Sequence, residues 1–371
     1  MRPVVVLIFH AEAPDGAGPL VRGLASARHS LAERQRVGFL AAGADEAEIV
    51  AGPADALSFG ERLGAAIRAR AARGAAAGGV VVLGSGSIPL ARAADLRRFV
   101  EVAAGPRGHA LANNRYSADV VAISRAADLA ELPPLPADNA LPRWLEERAG
   151  VAVADLRSRW RLGVDIDTPL DLIVLGVPAA RHGHETEPLI GERLAALSEV
   201  LTNRRAELLV AGRISAATLQ WLENGVACRV RALVEERGLR AASRLAQAGV
   251  TTGSRPPRSL LGELLDRDGP ESLARTVAGL ADAALIDTRV LLAHRHGADE
   301  AATLPPAAWP AAEDRFASDL LLPGSIADAW LRALTESAAA SPSDHPILLG
   351  GHTLVNGGLR LLAQLARAGA R

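Results

Sequence analysis

The chain has 371 residues and a formal charge of −1 at pH 7, so its length predicts two domains and its charge offers no general affinity for nucleic acid or an anionic membrane. All 41 basic residues are arginine, which excludes Schiff-base chemistry and a phosphate-gripping lysine and leaves anion binding to Arg forks, backbone amides or metal. The lone Cys228 excludes an internal disulfide and a cysteine-built zinc site, and a reducing cytoplasm is the expected compartment.

Residues 4–9, VVVLIF, are too short an apolar run to cross a membrane and read as a buried first strand. Alternating elements follow: helix 30–42, strand 47–51, helix 60–74, strand 79–84, helix 92–104, strand 118–124, helix 140–149, strands 151–155 and 163–166, and helix 169–175. Continuous Val/Leu/Ile strands between amphipathic helices predict a mostly parallel, Rossmann-like α/β sheet covered on both faces, over residues 1–178. In residues 176–188 periodicity gives way to Pro, Gly, His and charge, which places a linker at 179–188. There His182 and His184 read as solvated linker residues more readily than as chelators.

Residues 189–371 alternate again, as helix 188–204, strand 208–212, helix 215–224, strand 228–236, helices within 258–282, strand 284–294, helix 325–340, strand 347–351 and helix 354–368. A second, smaller α/β domain is expected, with long loops at 249–258 and 296–311. Its strand ends present Arg213, Glu235, Asp287, Arg289 and His352 as a second candidate site. Asp314 and Arg315 read as an exposed salt bridge of small energetic value.

In the first half, polar residues collect where an open sheet binds ligands, beyond the carboxyl ends of its strands. VDIDTPLDL at 164–172 delivers Asp165 and Asp167 to a Thr168-Pro169 helix start, a natural divalent-metal site, with Asp171 read as a first-turn acid. ANNRYSAD at 112–119 places Asn113, Asn114, Arg115 and Asp119 before an apolar strand, suited either to turn chemistry or to a base, ribose or phosphate. Asp138 or Asn139 is expected to cap the next helix.

Three segments, 32–52, VVVLGSGSIPLARAADLRRFV at 80–100, and VDIDTPLDL, resemble in their order the nucleotidyltransferase superfamily with the glycosyltransferase-A-type Rossmann-like fold, in particular phospholactate guanylyltransferases and molybdenum-cofactor nucleotidyltransferases. The resemblance covers about residues 1–175. It implies magnesium-dependent transfer of a nucleotidyl group from a nucleoside triphosphate to a phosphorylated small molecule. Asp165 and Asp167 would bind the metal, and Arg22 or Arg28, in an opening loop at 10–28, would neutralise the triphosphate. Ser85 and Ser87 would stand at the nucleotide, Ser87 in the place of an expected metal-binding Asp. That exchange keeps open a degenerate protein serving as ligand sensor or partner subunit, and a sugar-nucleotide glycosyltransferase ranks third. A nucleotide and a small-molecule substrate are the expected partners, without nucleic acid or membrane, and a homo-oligomer is left open.

Overall fold

The computed structural model describes residues 2–53, 57–72, 78–106, 108–129, 132–135, 140–177, 188–235, 256–298 and 309–369. The chain forms two compact units, one of residues 1–17 and 25–166, the other of residues 18–24 and 167–371. Both are mixed α/β, as the alternation of the sequence predicts. The predicted linker falls, except for Pro188, outside the described residues, as do His182, His184, Asp138 and Asn139.

The first unit carries a six-stranded sheet in the order β2-β1-β3-β5-β4-β6. Its strands are β1 (Val4–Glu12), β2 (Glu46–Pro53), β3 (Gly79–Gly84), β4 (His109–Ala112), β5 (Val120–Ile123) and β6 (Ala152–Asp155). β1 runs parallel to β2 and β3, and β4 parallel to β6, while β5 is antiparallel to both β3 and β4. The carboxyl ends of β1, β3, β4 and β6 therefore share one edge.

Alternate residues of each strand feed opposite faces. Val6, Ile8, Val81 and Leu83 join Phe39 and Phe99 in one core, and Leu7, Val80 and Val82 join Leu63, Leu141 and Leu145 in the other. Each such side chain contributes about 1.5–3 kcal/mol by leaving water. The covering helices are α1 (Pro19–Ala41), α2 (Phe59–Ala72), α3 (Ala93–Ala104) and α4 (Leu141–Glu147). Gly79 admits no side chain, because a Cβ there would collide with the carbonyl of Ala103.

Asp95, in the first turn of α3, is 2% exposed. Its carboxylate accepts the Arg92 N–H at 2.9 Å and meets Arg159 at 2.7 Å and Arg161 at 3.1 Å. Burial alone would raise its pKa, but these donors outweigh burial and hold it below the ordinary Asp value. A depressed folded pKa means that this stabilisation is complete above the unfolded Asp range and is lost as pH falls through the folded value. Urea titrations at stepped pH should show the first unit losing stability below the ordinary Asp range. Asp95→Asn should be less stable at pH 7 and flatter with pH, and equal slopes would show that Asp95 contributes nothing to the acid transition.

The second unit has a four-stranded, wholly parallel sheet in the order β10-β9-β7-β8. The strands are β7 (Glu207–Gly212), β8 (Arg229–Val234), β9 (Ala283–Asp287) and β10 (Ile347–Gly350). β7, β9 and β10 are almost entirely buried, while β8 alternates exposed and half-buried positions as an edge strand does. The helices are α5 (Pro169–Val174), α6 (Pro188–Thr202), α7 (Ala216–Gly225), α8 (Leu260–Asp268), α9 (Leu273–Ala278), α10 (Thr288–His296), α11 (Ala312–Asp319), α12 (Ala329–Ala339) and α13 (Leu359–Gly369). None of the described helices is long and apolar enough to cross a membrane.

The elements depart from expectation in several places. The predicted loop at 10–28 is strand to Glu12 and helix from Pro19, because proline is well placed at a first helical position. The start of α1 packs with the second unit, where both carboxylate oxygens of Glu313 accept the N–H groups of Leu20 (2.9 Å) and Val21 (3.1 Å). The strand expected at 163–166 is reduced to one antiparallel bridge between Ser87 and Asp165. The expected strand 284–294 stops at Asp287, whose side chain caps α10 through the Arg289 N–H. The short β4 and α11 were not anticipated. Asp314 and Arg315 do not form the expected pair: Asp314 accepts the N–H groups of Ala327 and Asp328, and Arg315 donates to the Pro310 carbonyl.

Candidate functional site

At the carboxyl edge of the first sheet, β3 ends in Gly84 and turns through Ser85, Gly86 and Ser87. Ser85 Oγ lies 3.0 Å from His10 Nδ1, and the two residues are 5% and 8% exposed. Burial, then the neighbouring His29 and Arg28, hold His10 below its ordinary pKa, so the ring is neutral at pH 7. The Ser87 carbonyl accepts from Gln35, and the Gly86 carbonyl accepts the Ile166 N–H. Arg28 is a helical residue, and its Nε donates to the Ile166 carbonyl at 2.6 Å. The Ser85–Ser87 turn and Val164–Ile166 thus lie side by side, in a corner where a Cβ on Gly86 would sit 2.8 Å from the Ile166 carbonyl.

After β4, Asn113 latches its own loop. Its amide donates to Asp119 and to the Leu162 carbonyl, both at 2.7 Å, and its oxygen accepts the N–H groups of Asp119 and Val120. Asn114 accepts the Tyr116 N–H at 3.0 Å, and Arg115 pairs with Glu146. Asn113, Asn114 and Asp119 therefore shape the loop through turn chemistry, one of the two roles anticipated for them. Arg22 sits on the exposed start of α1, in the segment assigned to the second unit, and Arg28 belongs to the first.

In the second unit, Thr168 caps α5, and Asp171 returns the favour as a capping box. Asp171 Oδ2 accepts the N–H of Thr168 at 2.7 Å and that of Asp167 at 2.9 Å, which fixes the backbone of Asp167. Across from it, the turn after β10 presents His352, with Nδ1 at 3.7 Å from Asp167 Oδ2. Both side chains are partly exposed, at 34% and 45%. The His352 carbonyl is held at 2.8 Å by the amide of Asn356, which also donates to the Arg213 carbonyl at 3.0 Å and accepts the Ser215 N–H at 2.8 Å. One asparagine, within the π-helical turn Leu354–Gly358, thus ties the loop after β7 to the loop after β10.

Strand order in this sheet reverses between β7 and β9, the crevice where ligands of open parallel sheets bind. Gly212 ends β7 there with φ +143°, and a Cβ on it would strike Asp287. Asp287 is fully buried, and its Oδ2 has no hydrogen-bond partner among the described residues. The remaining second-domain candidates have structural duties. Glu235 accepts the Leu260 N–H at the start of α8, and Arg289 is locked by two hydrogen bonds onto Asp319, at 2.6 and 2.7 Å. His294 is satisfied by the Ser259 N–H and Asp266. Burial pushes the Cys228 thiol up to about 11, so it stays protonated and unreactive at neutral pH.

Asp167 and His352 are thus predicted site residues that the structure brings together within the second unit, a carboxylate and an imidazole able to contribute ligands to a metal ion. Asp165 is separated from Asp167 along the chain by Ile166, the last residue of the first unit. Asp171, which holds the Asp167 backbone, was legible in VDIDTPLDL only as a first-turn acid, and Asn356, which holds the His352 carbonyl, was not anticipated. Comparison of the chain with family models and with characterised proteins finds no match.

Proposed function

We propose that the chain is a divalent-metal-dependent transferase acting on a nucleotide, moving a nucleotidyl group to a phosphorylated small molecule. The single observation that supports it is the approach of His352 Nδ1 to Asp167 Oδ2 at 3.7 Å, beside a backbone that Asp171 holds in place. Asp167 and His352 would hold the ion, with Asp165 supplying the neighbouring carboxylate along the chain. A bound ion would supply charge neutralisation to phosphate oxygens. The chain's own residues contribute a fixed ligand backbone through Asp171, and a fixed His352 carbonyl through Asn356. An imidazole among the donors favours manganese or zinc over the magnesium expected from the resemblance, since magnesium prefers oxygen ligands.

Thermal unfolding with Mn²⁺, Zn²⁺ or Mg²⁺, each with and without the four nucleoside triphosphates, tests this. An ion at a hundred times its dissociation constant should add about 2.7 kcal/mol. Asp167→Ala and His352→Ala should each weaken ion binding at least tenfold, and wild type supplied with a mixture of phosphorylated small molecules to accept the nucleotidyl group should release pyrophosphate from one triphosphate. Absence of any stabilisation by metal would sink the assignment. Ser87, buried where the resemblance places an acid, favours a second reading, a ligand-binding protein without transfer. Nucleotide binding without pyrophosphate release in any metal would select it.

A further inference from the structure

Tyr116 is the only tyrosine of the chain and is 48% exposed. It stands at the carboxyl edge of the first sheet, in the Asn113–Asp119 loop after β4, and that loop is held by the Asn113 and Asn114 hydrogen bonds already described. Two guanidinium groups lie within cation–π range of the ring: Arg115 Cζ at 5.7 Å and Arg157 Cζ at 5.0 Å from its centroid. Arg157 follows β6, the strand paired with β4, and bonds Asp155 at 2.7 Å, while Arg115 bonds Glu146.

Each arginine carries its own carboxylate, so the patch has no surplus positive charge with which to attract a bare phosphate. What it offers is an exposed aromatic ring, backed by cations in cation–π range and presented by a latched loop at a ligand-binding edge. One ring is also too small a surface for a protein interface. A flat π system is the chemistry that matches.

We infer that Tyr116 is a stacking platform for the base of a nucleotide, with Arg115 and Arg157 buttressing the ring. This concerns the first unit by itself and goes beyond the metal site proposed above. Stacking needs the ring and not its hydroxyl, which separates Phe from Leu as replacements.

Because Tyr116 is unique, incorporation of 3-fluorotyrosine into the full chain gives one ¹⁹F resonance that reports this position. Titration with ATP, GTP, CTP, UTP and adenosine should move the resonance for at least one base-containing ligand, and inorganic tripolyphosphate should leave it unmoved. Tyr116→Leu should weaken binding of that ligand about tenfold by isothermal titration calorimetry, and Tyr116→Phe should stay within about twofold of wild type. A silent resonance, an equal shift with tripolyphosphate, or unchanged affinity in Tyr116→Leu would each overturn the platform. Metal binding lost in Asp167→Ala together with a silent resonance would remove the platform and leave the metal site standing. A base-dependent shift in a chain that binds no divalent ion would do the reverse.

Discussion

Asp319→Ala is expected to destabilise the second unit by about 3–5 kcal/mol, the cost of leaving a buried charge without its partner. Asp319 is fully buried and Arg289 is 8% exposed. Burial works against the charge on Arg289, but the Asp319 carboxylate outweighs it and holds the guanidinium above its ordinary pKa. Once the carboxylate is gone, the cation cannot discard its proton at any accessible pH and has little water to turn to. Replacing both partners is a different experiment. Arg289→Met with Asp319→Leu removes the charge along with its partner, and should recover most of the loss. Urea unfolding followed by circular dichroism measures both. A single variant that loses less than about 1 kcal/mol would mean that water reaches Arg289 and that the pair contributes little to the fold.

Arg193→Met is expected to cost a similar amount, about 3–5 kcal/mol, for a different reason. Arg193, on α6, is 2% exposed, and among the described residues its hydrogen bonds go to carbonyls rather than to a carboxylate. Its guanidinium donates to the carbonyls of Ala339, Ser341 and Pro342, which close the carboxyl end of α12. Burial lowers its pKa while Glu192 pulls it up, yet an arginine remains charged at neutral pH. Methionine would fill the volume but leave the buried Ser341 carbonyl without a donor, at about 1–3 kcal/mol, and the part-buried carbonyls of Ala339 and Pro342 without theirs at a smaller cost each. Arg193→Lys should fall between wild type and Arg193→Met, since a compact ammonium cannot span all three acceptors. Denaturant titration of the three proteins checks the order, and equal midpoints for Lys and Met would show that charge alone carries no weight there.

The parts of the fold legible in the sequence were those written locally. VVVLIF, GVVVLG and ILLG are uninterrupted apolar runs because parallel strands are buried on both faces, and all three are strands. Misreadings fell where a local signal was ambiguous. ALIDTRVLLAH is apolar on both sides of Asp287-Thr288-Arg289 and holds no glycine or proline, so the change from strand to helix at Asp287 rests on one capping side chain. HALA is too short to show a period. The site divides the same way: Asp165 and Asp167 stand out at a strand end before Thr-Pro, but the approach of His352 to Asp167 joins distant stretches of chain, which no spacing encodes. Arg289 was visible as a charged residue and invisible as a buried one, because Asp319 lies in a helix that the sequence did not announce.

Glu313 has a consequence in time as well as in space. Protein synthesis delivers α1 early, yet the carboxylate that caps its first two amide groups sits in α11, near the end of the chain. A nascent chain halted before residue 313 holds the opening turn of α1 without that cap, so this turn is completed only late in translation, after most of both sheets has left the ribosome.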